Sequence, residues 1–172
     1  MPMPIDANTD VTLLNLKQIA AMMPTHIKPL TSQQIGAFST LQIGGFSPAQ
    51  LGMLTTTQAG GLNQTQLSVL TATQMSGIGT APFRAFSQTQ MAGLTATQIR
   101  QLTPTLWNSL DASVIGHLTT AQMSGLTITQ VAQWSLTQLG GLSTTQLAAL
   151  TTTQVGGLTT AQIAGMSMLL VA

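Results

Sequence analysis

Side chains able to move a proton, attack a carbonyl or hold a metal are scarce in this sequence, and their spacing keeps them apart. The carboxylates are Asp6, Asp10 and Asp111, the imidazoles His26 and His117, the cations Lys17, Lys28, Arg84 and Arg100, and there is no Cys. Asp6 and Asp10 could meet on one helix face, but an acid and base pair also needs groups that shape a pocket and shift a pKa. No such groups stand near them. The histidines lie far apart with no companion Cys or Glu, which argues against a metal site. Gly44-Gly45, Gly60-Gly61, Gly140-Gly141 and Gly156-Gly157 recur along the chain, whereas a phosphate-binding loop occurs once. These residues predict no enzyme, no cofactor, no metal and no small-molecule substrate.

What these residues sit in is a tandem repeat. Blocks of eight counted from Ala7 keep one register to Met166, giving twenty octads over 7–166 without insertion. The consensus is Thr/Ser, any, Thr/Ala, Gln, Ile/Leu/Val/Met, small, Gly/Ala, Leu/Phe, as in 151–158 (TTTQVGGL) and 159–166 (TTAQIAGM). Column one, with Asn15, Thr31, Ser39, Thr71 and Asp111 among its members, has helix N-cap chemistry. Gln three positions on, as Gln34, Gln58, Gln98 or Gln154, completes a capping box. Columns eight and five form a hydrophobic staple across the cap, as Leu54 with Ala59 and Leu150 with Val155, and both predict core. Pro24, Pro48 and Pro104 all fall in column two, the first helical position. Glycine in column seven, as in Gly45, Gly61, Gly93 and Gly157, predicts a left-handed helix stop.

Each octad is therefore read as a short capped helix, too short to be stable alone, stacked so that columns five and eight form one core. The expected fold is an all-α solenoid of very short helices, one per repeat, some of them 3₁₀. The alternative is a β-solenoid, suggested by Thr-x-Thr triplets such as Thr71 to Thr73. Parity opposes it. Columns five and eight would face opposite sides of a strand, and column-two prolines would interrupt its ladder.

The aromatic residues Phe83 and Trp107 in column five, and Phe38, Phe46, Phe86 and Trp134 in column eight, read as core, with Met75, Met91 and Met123 filling gaps. The repeat lapses at 79–86, where Pro82 replaces Gln, and at 103–118, where Leu106 and Val114 do. If a local binding feature exists, Arg84, Arg100, Trp107, Asn108 and His117 are its candidates.

Only 4% of the 172 residues are charged and the formal net charge is +1, so no basic stripe exists to neutralise phosphates and nucleic acid is not an expected partner. Near-neutrality also removes the repulsion that keeps chains apart. No secretory signal is visible at 1–8, and no apolar run is long enough to span a bilayer.

The array over 15–166 resembles octapeptide-repeat regions of the form Leu-Thr-Thr-x-Gln-Ile-x-x in large bacterial surface or secreted proteins. The resemblance implies a structural role and an extracellular or cell-surface setting, with a cytoplasmic one as the alternative, and brings no functional residues. The expectation is a structural protein that assembles with itself head-to-tail into a filament or surface layer. An extended N-terminal arm (1–6) and an apolar C-terminal end (167–172) would meet, through Met1, Pro2, Met3, Pro4 and Ile5 on one side and Leu169, Leu170 and Val171 on the other. The alternative is a monomeric module presenting a Thr/Gln-rich face to ice, glycan or peptide.

Overall fold

The computed structural model describes residues 5–169, with side chains described to Met166. Met1, Pro2, Met3, Pro4, Leu170 and Val171 lie outside the described residues, as does the side chain of Leu169. The described chain is all-helical: a 3₁₀ turn, Val11–Leu13, is followed by nineteen short α-helices from Leu16–Ala20 to Thr160–Leu169, and no strand occurs among the described residues. The β alternative is thereby set aside.

Why these helices start where they do follows from column one. Asn15, Thr31, Ser39, Thr71 and Ser143 each hold extended backbone while their side-chain oxygen accepts the amide of the Gln three residues on. That Gln's Oε1 in turn accepts the cap's own N–H, as from Thr55 to Gln58 at 2.9 Å and Asn63 to Gln66 at 2.8 Å. The three prolines sit in the first helical turn as the spacing required. The first octad departs from this pattern: Asp10, in column four, caps the 3₁₀ turn, and Ala7 caps nothing. In the third octad Met23 offers no cap, but His26 Nδ1 still accepts the Met23 N–H at 3.1 Å, in place of glutamine.

Helix endings correct one expectation. No described glycine has a positive φ. Gly45, Gly141 and Gly157 keep right-handed helical angles, and the chain leaves the helix at column eight, where Ile78 and Leu126 are extended. Column-seven glycine serves close packing instead. A Cβ on Gly93 would stand 2.5 Å from Gln64 Cα, and one on Gly125 2.6 Å from Ala96 Cβ, so the later turn lies directly on the earlier one.

The chain divides into two compact units, 1–94 and 95–172. In each, a helix packs on the third helix after it: Pro48–Leu51 on Ala72–Gly77 in the first, Ala96–Arg100 on Thr120–Gly125 in the second. Gln side chains reach further back, to carbonyls 28, 30 and 31 residues earlier. One superhelical turn thus takes between three and four octads. Column five fills the interior, and every member from Val11 to Leu139 is at most 2% exposed. Burying one such aliphatic side chain contributes roughly 1.5–3 kcal/mol, which is what allows helices of four to six residues to persist.

The last helix, Thr160–Leu169, runs past the octad boundary at Met166. At the other end, Ile5 is buried and the Asp6 carbonyl accepts from Gln34 Nε2 at 2.8 Å, so these two residues are tied into the fold and do not form a free arm.

Candidate functional site

Glutamine in column four does more than close a capping box. Its Oε1 faces its own helix, and its Nε2 donates to backbone carbonyls one superhelical turn earlier. Gln42 donates to the carbonyls of Val11, Thr12 and Leu14, Gln58 to those of Ile27, Lys28 and Leu30, and Gln154 to those of Met123, Ser124 and Leu126. These carbonyls belong to columns five, six and eight, the orphan acceptors that a short helix leaves at its C-terminal end. The side chains doing this are buried, Gln66 to 1% exposure and Gln154 to 3%. A capping box accepts Glu as readily as Gln, yet Glu has no donor to offer the earlier turn. The sequence contains no Glu, and that was the signal for this second role.

A second missed signal is an alternation of sixteen residues. Counting octads from 7–14 as the first, column seven is glycine in the odd octads from the fifth onward, at Gly45, Gly61, Gly77 and Gly93 and again at Gly125, Gly141 and Gly157, with Ser109 between. Even octads carry Met53, Val69, Gln101 and Gln133 there, until the last of them, where Gly165 breaks the alternation. Odd-octad glycines seat the later turn against column two, as Gly77 does on Pro48. Even octads place column six beneath the same glycine: a Cβ on Gly52 would be 2.8 Å from the Gly77 carbonyl, and Arg100, at that position, donates from Nε to the Gly125 carbonyl at 3.2 Å.

The residues proposed as a binding feature are not gathered into one. Arg84 belongs to the first unit and the other four to the second. Arg84, Arg100 and Asn108 are exposed, but Trp107 is only 2% exposed and its indole Nε1 donates to the Gln130 carbonyl at 3.1 Å, so it is unavailable as a platform. It stacks with Trp134 at 6.1 Å between ring centroids. His117 is half-buried, and its Nδ1 and the Trp134 Nε1 are buried without a hydrogen-bond partner. Asp10 is exposed, and its carboxyl is held below the usual carboxylate range by the Thr12 hydroxyl and then by the Thr12 amide.

The surface of the first unit carries grooves of contrasting character. One, of about 500 Å³, is lined by hydroxyl and amide side chains including Ser39, Thr40, Asn63, Gln64 and Thr89. The other, of about 410 Å³, is apolar, with Leu16, Leu41 and Val69 exposed around Gly44 and Gly45. Among the described residues no group of three or more His, Cys, Asp or Glu could hold a metal ion, and no helix is long and apolar enough to cross a membrane.

The most distinctive surface is the last turn of the second unit. Column five stays sealed to Leu139, then opens: Leu147 is half-buried, Val155 43% exposed and Ile163 50% exposed. The Leu150 and Val155 staple, expected in the core, is therefore half-buried at one member and exposed at the other.

A family model matches within this same stretch: residues 136–168 match the ALTTAQ repeat. No curated protein and no solved structure matches the chain. The chain is a tandem-repeat protein of short helices, and its last octads are similar to the ALTTAQ repeat.

Proposed function

We propose that this chain is a structural repeat protein without catalytic activity, which assembles with copies of itself through its end turns. The observation that carries the reading is exposed apolar surface in column five, with Val155 43% and Ile163 50% exposed. Contiguous apolar surface of this kind marks an interaction site. The first turn of the first unit offers apolar surface as well, with Leu13 79% and Met23 53% exposed. A net charge of +1 leaves little repulsion to oppose association. Joining C-terminal turn to N-terminal turn is a heterologous contact, which extends into a filament or layer when it does not close. The resemblance to bacterial surface repeats goes with an extracellular setting, which cell fractionation tests.

Sedimentation velocity over a concentration series tests assembly. The wild-type chain is expected to shift to larger species as concentration rises, and the double substitution Val155→Lys and Ile163→Lys to hold it monomeric. A wild-type chain that stays monomeric throughout would refute self-assembly. The groove around Asn63 and Gln64 favours a second reading, a module that binds a hydroxyl-rich ligand such as a glycan. Thr40→Lys and Thr89→Lys would then abolish glycan capture while leaving far-ultraviolet dichroism unchanged.

A further inference from the structure

We infer that octad 79–86 is a built-in point of local opening, at which the first unit comes apart before the octads on either side and exposes Phe83 and Phe86.

The flanking octads show what normally holds such a unit. Thr71 and Ser87 each accept the N–H of the Gln three residues on at 3.2 Å. Those glutamines then donate to the preceding turn, Gln74 to the Gly44 and Phe46 carbonyls and Gln90 to those of Ala59 and Leu62, at 2.8–3.0 Å. Octad 79–86 has neither tie. Gly79 brings no side chain to cap helix Thr80–Arg84. Pro82, in column four, has no N–H to be capped and no donor to send back. The two losses match, since a cap hydroxyl would find no amide there.

The carbonyl that column four would reach from position 82 is that of Leu54, 28 residues earlier. Its counterparts at Phe46 and Leu62 each accept a glutamine amide, whereas the Leu54 carbonyl accepts no hydrogen bond among the described residues. Pro82 is also half-buried where Gln74 and Gln90 are buried, so solvent reaches a position that the amide seals in both neighbours.

Columns five and eight still pack. Phe83 and Phe86 are 0% and 2% exposed with ring centroids 5.1 Å apart, and helix Thr80–Arg84 lies on Thr56–Ala59. Apolar contact is non-directional, so it holds the rings together without fixing the helix start to the turn below. In a stack whose stability is a sum of unit and nearest-neighbour terms, the deficit stays in the octad that carries it. Segments short of such ties open at lower free energy than their surroundings.

Native-state proteolysis of the full chain with dilute trypsin, read by mass spectrometry, tests this. Arg84 lies in the octad, and Arg100 in octad 95–102, where Thr95 and Gln98 form a complete capping box. Both arginine side chains are exposed, so cleavage rates compare backbone opening and not access to the side chain. Cleavage after Arg84 is expected to be at least tenfold faster than after Arg100. Gly79→Thr with Pro82→Gln, which restores cap and donor, should slow the first cut at least tenfold and leave the second unchanged. Hydrogen exchange of the wild-type chain needs no substitution and should show amides of 79–86 at least tenfold less protected than those of 71–78 and 87–94. Cleavage after Arg100 at an equal or greater rate, uniform protection across the three octads, or a folded double variant cut as fast as wild type would each overturn the inference.

Discussion

Replacing Gln66 by Glu separates the two roles of column four. The Gln66 Oε1 accepts the Asn63 N–H at 2.8 Å, and a carboxylate oxygen keeps that bond, so the capping box survives. The Nε2 donates to the carbonyls of Ile35 at 3.0 Å, Gly36 at 3.3 Å and Phe38 at 2.7 Å, all from a side chain 1% exposed. Gln66→Glu removes that donor and turns an oxygen toward three others. Two good hydrogen bonds are lost at about 1 kcal/mol each, the buried carbonyls lose their partner, and the charge is desolvated, for a total of about 3–5 kcal/mol at neutral pH. That is a large share of the 5–15 kcal/mol or so that holds a domain folded. Burial and facing carbonyls raise the new carboxyl's pKa in the folded state, so the folded chain binds more protons than the unfolded one. Stability is therefore best below the unfolded value of about 4.3, where the protonated acid donates to one carbonyl, and falls as pH rises through the raised folded value. Urea denaturation followed by far-ultraviolet dichroism at both pH extremes reads this directly. Gln66→Met serves as the control and should cost about 2–3 kcal/mol with no pH dependence. If Gln66→Glu at neutral pH lies within about 1 kcal/mol of wild type, the long-range role of column-four glutamine is wrong.

Other substitutions test other parts of the argument. Gly93→Ala should destabilise by about 2–4 kcal/mol because its Cβ meets Gln64 backbone, whereas Gly44→Ala, with nothing within 4 Å, should stabilise by about 0.5–1 kcal/mol; thermal melts of both decide between a packing and a conformational role for glycine. Trp107→Phe should cost more than Trp134→Phe in the same melts, since the first leaves the Gln130 carbonyl without its indole donor and the second removes a buried donor that has no acceptor. Carboxyl NMR should place the Asp10 pKa below the ordinary range, and Thr12→Val should move it back up. Because that pKa is depressed, the small stabilisation it brings is present above the unfolded value of about 3.9 and is lost as pH falls through the folded one.

Most of the fold was legible because each octad carries its own start signal. Cap residue, Gln at the fourth position and proline at the second all sit in one register, and local chemistry of that kind needs no tertiary information. The glycine role was misread for the same reason. A stop signal and a close approach both select glycine, and only the position of the neighbouring turn tells them apart. The exposure of Val155 was illegible as well, since Leu150 and Val155 match their columns as well as Leu54 and Ala59 do, and a single repeat does not record what packs over it.

Column four shows how a repeat this short specifies a superhelix. Capping alone would leave the angle between successive helices undetermined, because an N-cap fixes only its own first turn. The Nε2 bonds to columns five, six and eight of the octad four earlier tie each helix start to helix ends one turn back, and the odd-octad glycines set how closely those turns approach. Where Leu106 and Val114 take the place of Gln, Thr103 and Asp111 still cap their helices but the donor is gone. Those two side chains are buried to 3% and 2% exposure, so apolar packing stands in column four where the amide would be. Val114→Gln is then expected to lower the melting temperature, because a site buried to 2% exposure and fitted to valine must take a larger, polar side chain. A rise would mean that the lapse is a missing contact and not a packing of its own.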